Sequence, residues 1–161
     1  MKTNECTSIG RSASGQLPCL SALHLVTPHD AKDLELALRR GGVPTDFECK
    51  LNQLANQTLL HRSVEHNCRL FIALLWAANE GSFTQPTKVE KERLLRVLAY
   101  VRKDDDAVPD YKPNGFADDQ REVRAAVVEL GPLLDSFKSW RLSHQVPALW
   151  NKTAPTAPAA S

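Results

Sequence analysis

The chain lacks the features that would tie it to a membrane, a nucleic acid or a familiar catalytic scaffold. Its most apolar window, CRLFIALLWAA from Cys68 to Ala78, is about half of the ~20 residues that a membrane-spanning helix needs, and Arg69 interrupts it. Lys and Arg number 20 against 19 Asp and Glu, a formal net charge of +1. No overall field therefore draws the protein to nucleic acid or to acidic substrates, and nucleic-acid binding finds no support. The start, MKTNECTSIGRSASGQLPCL, holds no apolar run of the roughly 7–15 residues that a secretory signal requires.

Cysteines are few. Cys6, Cys19, Cys49 and Cys68 include no Cys-x-x-Cys pair, which removes the common zinc and thiol-exchange motifs. Free cysteine behaves as a small buried hydrophobe, so Cys49 and Cys68, both in helical patterns, are expected in or beside the core. A reducing, cytoplasmic compartment is the default expectation. There is also no Gly-x-x-x-x-Gly-Lys-Ser/Thr loop, no Gly-x-Gly-x-x-Gly and no Gly-x-Ser-x-Gly elbow. The common routes to phosphate binding and serine hydrolysis have no anchor, and no organic cofactor is implied.

What remains fits one all-α domain, a bundle of four or five helices. A chain of 161 residues is long enough for its fold to hide roughly 70% of the surface that the unfolded form exposes. Residues 1–23, rich in Ser, Thr, Gly and Asn, read as a flexible leader, and residues 149–161 as a disordered Pro/Ala tail, leaving 24–148 for the helical domain. Thr27, Pro28 and Asp30 form a helix-start signal and Gly41-Gly42 a stop, predicting a helix over 28–40 around Leu34, Leu36 and Leu38. A second pattern spans residues 44–80 as one helix or two, with a break near Asn56 to His61. Thr87 and Glu90 make a capping box for a helix over 88–103 with a face of Leu94, Leu95, Val97, Leu98 and Val101. Beyond Asp118 and Asp119, which read as caps, the last pattern is interrupted at Gly131-Pro132, where a kink or a fresh helix is expected. Trp76 and Trp140 fall on apolar faces and are expected in the core, with Trp150 as a lid at the domain edge; an aromatic cage is the alternative.

Two clusters could carry chemistry. In HRSVEH, the five-residue separation of His61 and His66 turns their side chains about 140° apart on a helix. That spacing differs from the zinc-peptidase patterns, which place both imidazoles on one face. The other cluster is YVRKDDDAVPDYKPNGFADD, from Tyr100 to Asp119, with six aspartates. Asp104, Asp105, Asp106 and Asp110 offer the oxygen ligands that hard cations prefer, but the spacing is not that of an EF-hand, because Val108 occupies the fifth ligand position and no Glu closes the loop. An architectural corner explains more: Pro109 and Pro113 fix φ, Gly115 permits a tight turn, and the carboxyls of Asp118 and Asp119 can accept bonds from the free N–H groups of the next helix.

The same stretch resembles the signature of the YkvA-like domain family, a short helical domain. That signature reads approximately Tyr-x-x-x-Pro-x-Asp-x-Ile-Pro-Asp-x-x-Pro-x-x-Gly-x-x-Asp-Asp, and it is matched by Tyr100, Asp106, Val108 in the Ile place, Pro109, Asp110, Pro113, Gly115, Asp118 and Asp119. Asp104 stands where the family has proline, and the turn from Pro113 to the Asp pair is one residue shorter. The resemblance covers about 88–140 and implies a helical fold; the family has no agreed activity, so it implies no reaction.

Three functional expectations follow. The first is a non-enzymatic interaction or regulatory module with a protein partner, whose contacts lie on the exposed part of residues 44–80 or on the acidic corner. The second is a metal-dependent enzyme or cation-binding domain, with a divalent ion held by Asp106, Asp110, Asp118 and Asp119. The third is a peripheral membrane adaptor, because some YkvA-like proteins carry transmembrane segments that this chain lacks.

Overall fold

The computed structural model describes residues 22–103 and 115–144. These residues form a 3₁₀ turn, Ala22–Leu25, and six helices: α1 Pro28–Arg39, α2 Thr45–Ala55, α3 Leu59–Asn79, α4 Lys88–Arg102, α5 Ala117–Glu129 and α6 Gly131–His144. No strand occurs among the described residues, and none of their helices is long and apolar enough to cross a membrane. The fold is all-α. The expected tail, most of the expected leader and Trp150 lie outside the described residues. Ala22 and Leu23, assigned to the leader from sequence, instead pack into the core.

Helix boundaries follow local chemistry. Thr27 and Asp30 close a reciprocal box, Thr27 N–H donating to Asp30 Oδ2 at 2.9 Å and Asp30 N–H to Thr27 Oγ1 at 3.2 Å. Thr87 and Glu90 repeat the device on α4. Each box satisfies backbone donors that a helix start leaves open. Gly41, at φ +76°, ends α1 in the left-handed region that a side chain would oppose, and Gly42 N–H then returns to Ala37 O at 3.2 Å. Both breaks that the sequence allowed are used, which raises the helix count to six. At the first, Thr58 belongs to no apolar stripe but caps α3, accepting from His61 N–H. At the second, Pro132 falls in the opening turn of α6, where its missing N–H forfeits no helical bond.

Helix α3 is the central element and packs against α1, α2, α4 and α5. Its Val64, Cys68, Phe71, Ile72, Leu74 and Leu75 are buried, which explains why this segment is the most apolar in the chain. Each such large side chain contributes ~1.5–3 kcal/mol relative to exposure. Arg69, the residue that interrupts the apolar window, points its guanidinium at α2, pairing with Glu48 at 3.4 Å and Asn52 at 3.0 Å, and with Glu65 on its own helix. Near the C-terminal end of α4, Arg102 bridges Asp46 of α2 at 2.7 Å and Asp33 of α1 at 2.9 Å, while Lys103 reaches Asp30 at 3.1 Å. The Arg102 hydrogen bond holds the Asp46 carboxyl below its ordinary range, and the bonds from Thr27 do the same for Asp30. Both contributions are therefore present at neutral pH and fade as acid protonates the folded state.

Three packing expectations need correction. Leu36 is 46% exposed, because it lies on the α1 face opposite Leu34 and Leu38. Cys49 is exposed while Cys68 is buried. Trp76 and Trp140 are only partly buried against the core; Trp140 stacks with Phe137, at 5.7 Å, and with His144, at 4.8 Å. Phe83 also meets it at 5.5 Å, so Trp140 belongs to a cluster of rings at the edge of the core.

Candidate functional site

Only the edges of the aspartate-rich corner are described: Tyr100 in α4, a turn at Gly115 and Phe116, and the start of α5. Asp104, Asp105, Asp106, Asp110, Pro109 and Pro113 lie outside the described residues. At the α5 end the expected capping role does not hold. The N-cap of α5 is Phe116, with no side-chain cap bond, and Asp118 and Asp119 sit within the first turn. Their charge still complements the positive end of the helix, but the side chains face inward. Asp118 is 3% and Asp119 0% exposed.

The helical period explains this orientation. Asp118, Asp119, Glu122, Val123 and Ala126 follow one another at the spacings that build one helix face, and all five are buried. The buried face of α5 is thus acidic at its start and apolar further on. Such a face needs polar partners, since an unsatisfied carboxyl in the interior costs several kcal/mol. Tyr100, fully buried on α4, donates its hydroxyl to Asp118 Oδ2 at 2.6 Å, a length typical of O–H bonds to ionised carboxylates. Lys50 of α2, 5% exposed, places Nζ 3.6 Å from Asp119 Oδ2. The same ammonium donates to Lys103 O at 2.7 Å, just past the end of α4, and lies 5.7 Å from the centre of the Phe116 ring. Glu122 Oε1 accepts from Ala22 N–H at 2.8 Å, tying the 3₁₀ turn to α5. None of Lys50, Tyr100, Asp118, Asp119 and Glu122 is without a partner.

These bonds join α2, α4 and the 3₁₀ turn to the buried face of α5. Lys50 and Glu122 carry half of the arrangement and were not singled out from sequence. A signal existed: Lys50 lies within the Phe47, Leu51, Leu54 stripe, and Glu122 stands one turn beyond Asp118 and directly before Val123. A charged residue on a core stripe asks for a buried partner.

Cys68 lies beneath this cluster. Burial pushes its thiol pKa up strongly, the Asp119 carboxyl adds to the rise and Lys50 partly offsets it. A thiol so held presents almost no thiolate near neutral pH. Alkylation of the folded chain with iodoacetamide at mildly alkaline pH, read by peptide mapping, should leave Cys68 unmodified while modifying the exposed Cys49. Rapid labelling of Cys68 in the native state would contradict this packing.

His61 and His66 do not converge. His61 is half-buried and meets Phe116 edge-on at 5.2 Å, whereas His66 is exposed. Among the described residues, no group of three or more His, Cys, Asp or Glu side chains is arranged to hold a metal ion. Comparison of the chain with protein-family models, with curated proteins and with solved structures finds no match.

Proposed function

We propose that the chain is a non-enzymatic interaction or regulatory module that works in the cytoplasm, built on a YkvA-like corner. One observation carries this reading: Asp118 and Asp119, the described half of the candidate cation ligands, are buried and turned onto Tyr100 and Lys50. Carboxyls committed to holding helices together are poorly placed to share a cation or to exchange protons with a substrate. The same bond supports the YkvA-like kinship, because Tyr100 and Asp118 are both signature positions and the link between them gives the string a physical purpose.

A module of this kind recognises a protein through exposed side chains, and the described residues offer several large apolar ones, including Leu59, Val89, Val128 and Leu142. Site-specific photo-crosslinking from these positions in the native cell is expected to trap one defined protein from one face. Thermal unfolding with millimolar Ca²⁺, Mg²⁺ or Mn²⁺ is expected to match unfolding without them. A hundredfold excess of a bound cation over its Kd would add ~2.7 kcal/mol to stability. A cation-specific rise in Tm, lost in Asp118→Asn, together with no crosslink from any position, would replace this proposal with a metal-dependent activity.

A further inference from the structure

We infer that the cleft between α1 and α4 receives an acidic amphipathic helix of a partner protein, an inference that rests on the interaction reading and gives it a site. The cleft encloses about 860 Å³. Its walls come from α1 and α4 and its floor from the C-terminal part of α3, with Leu75 and Asn79. Val26, Ala31, Leu75 and Leu95 supply a narrow apolar strip at the bottom. Along α1 the lining runs from Pro28 to Arg39, about 16 Å at 1.5 Å per residue, or three helical turns. A cleft of that length accommodates one row of side chains at i, i+4 and i+7, the way an amphipathic helix anchors itself in a groove.

The charges choose the partner. Five cations line the cleft against two acids, Glu35 and Glu92. Arg39 is already paired with Glu35 at 2.7 Å, and Arg96 donates to Leu23 O at 3.1 Å. Lys32 on one wall and Lys88 and Lys91 on the other form no ion pair among the described residues. Cations that flank an apolar strip from both sides complement a helix with carboxylates on both sides of an apolar row. A compact anion would be better served by cations converging at one end. The aliphatic stems of these lysines extend the apolar contact while their ammonium groups stay at the rim.

The test uses the full chain and a fluorescein-labelled synthetic helix with leucines at i, i+4 and i+7 flanked by glutamates, followed by fluorescence anisotropy. Saturable binding is expected, together with a loss of at least about tenfold in Lys88→Glu/Lys91→Glu and in Lys32→Glu, since each reversal sets like charges opposite one another. A peptide with lysine in place of glutamate should not bind. Arg124→Glu, the same charge change on the exposed face of α5, should leave binding unaltered. All four lysine and arginine positions are outside the core, and circular dichroism melts verify that each variant folds. Binding indifferent to the three lysine reversals overturns the inference, as does no binding by the folded wild-type chain. So does lysine-dependent flotation with phosphatidylglycerol vesicles in place of the peptide, which would assign the cleft to a lipid surface. Concentration-dependent dimerisation abolished by the same reversals would assign it to a second copy. If photo-crosslinking still traps one protein from another face, the interaction reading stands while this site for it falls.

Discussion

Asp119→Ala is expected to lower stability by about 3–5 kcal/mol, the usual cost of breaking a buried ion pair by removing one partner. For a domain of this size that corresponds to a fall in Tm of roughly 10–15 °C. The expectation comes from the position of Lys50, which is 5% exposed and has Asp119 at 3.6 Å and the Lys103 carbonyl at 2.7 Å. Removing the carboxylate takes from this buried ammonium the acid that stands beside it. Lys50 Nζ is also held by its bond to Lys103 O, just past the end of α4, and lies 5.7 Å from the centre of the Phe116 ring. The truncation also opens space beside Cys68 and α3, adding a packing loss to the electrostatic one. Differential scanning calorimetry measures the effect directly. A variant that melts within a degree or two of the wild type would mean that the pair is solvated in practice and holds nothing.

Tyr100→Phe is the second large effect. It keeps the ring that fills the core and removes only the hydroxyl that meets Asp118 at 2.6 Å. A hydrogen bond to a charged group contributes about 1.5–3 kcal/mol, and the carboxyl it leaves behind is buried and loses a donor. The substitution should therefore lower Tm by roughly 5–10 °C while near-UV and far-UV circular dichroism stay native. Asp118→Asn should cost less, because an amide oxygen can still accept from Tyr100. That order, with phenylalanine worse than asparagine, is specific to a bond in which the tyrosine donates. The reverse order would assign the loss to the acid's charge near the start of α5 rather than to this bond.

Much of the scaffold was legible because its signals are local. Thr87 with Glu90 and Thr27 with Asp30 mark helix starts within four residues, and Gly41 marks a stop because glycine enters the positive-φ region that other residues avoid. The break before α3 was visible within the pattern over 44–80, near Asn56 to His61, where the Thr58 hydroxyl caps the helix. Asp118 and Asp119 show where local chemistry misleads. An acid pair beside a glycine turn reads as a cap, and a cap needs nothing beyond its own helix. Their true partners, Tyr100 and Lys50, stand 18 and 69 positions earlier, and only the packing of α2, α4 and α5 brings them together. Lys50 could be noticed as a lone cation on an apolar stripe, but no sequence rule says which acid it meets. The α1 and α4 cleft was invisible for a similar reason: each wall reads by itself as an ordinary solvated helix face, and its excess of positive charge emerges only when Lys32 faces Lys88 and Lys91.

The acids opening α5, Asp118 and Asp119, act as structural fasteners between helices. Equilibrium urea unfolding of Lys50→Met, Asp119→Leu and the double variant measures this most directly. A fastener implies that each single change is strongly destabilising and that the double change recovers most of the loss, because two matched apolar side chains can replace a buried pair at little net cost. Losses that simply add in the double variant would show that Lys50 and Asp119 do not hold one another, and would contradict the account.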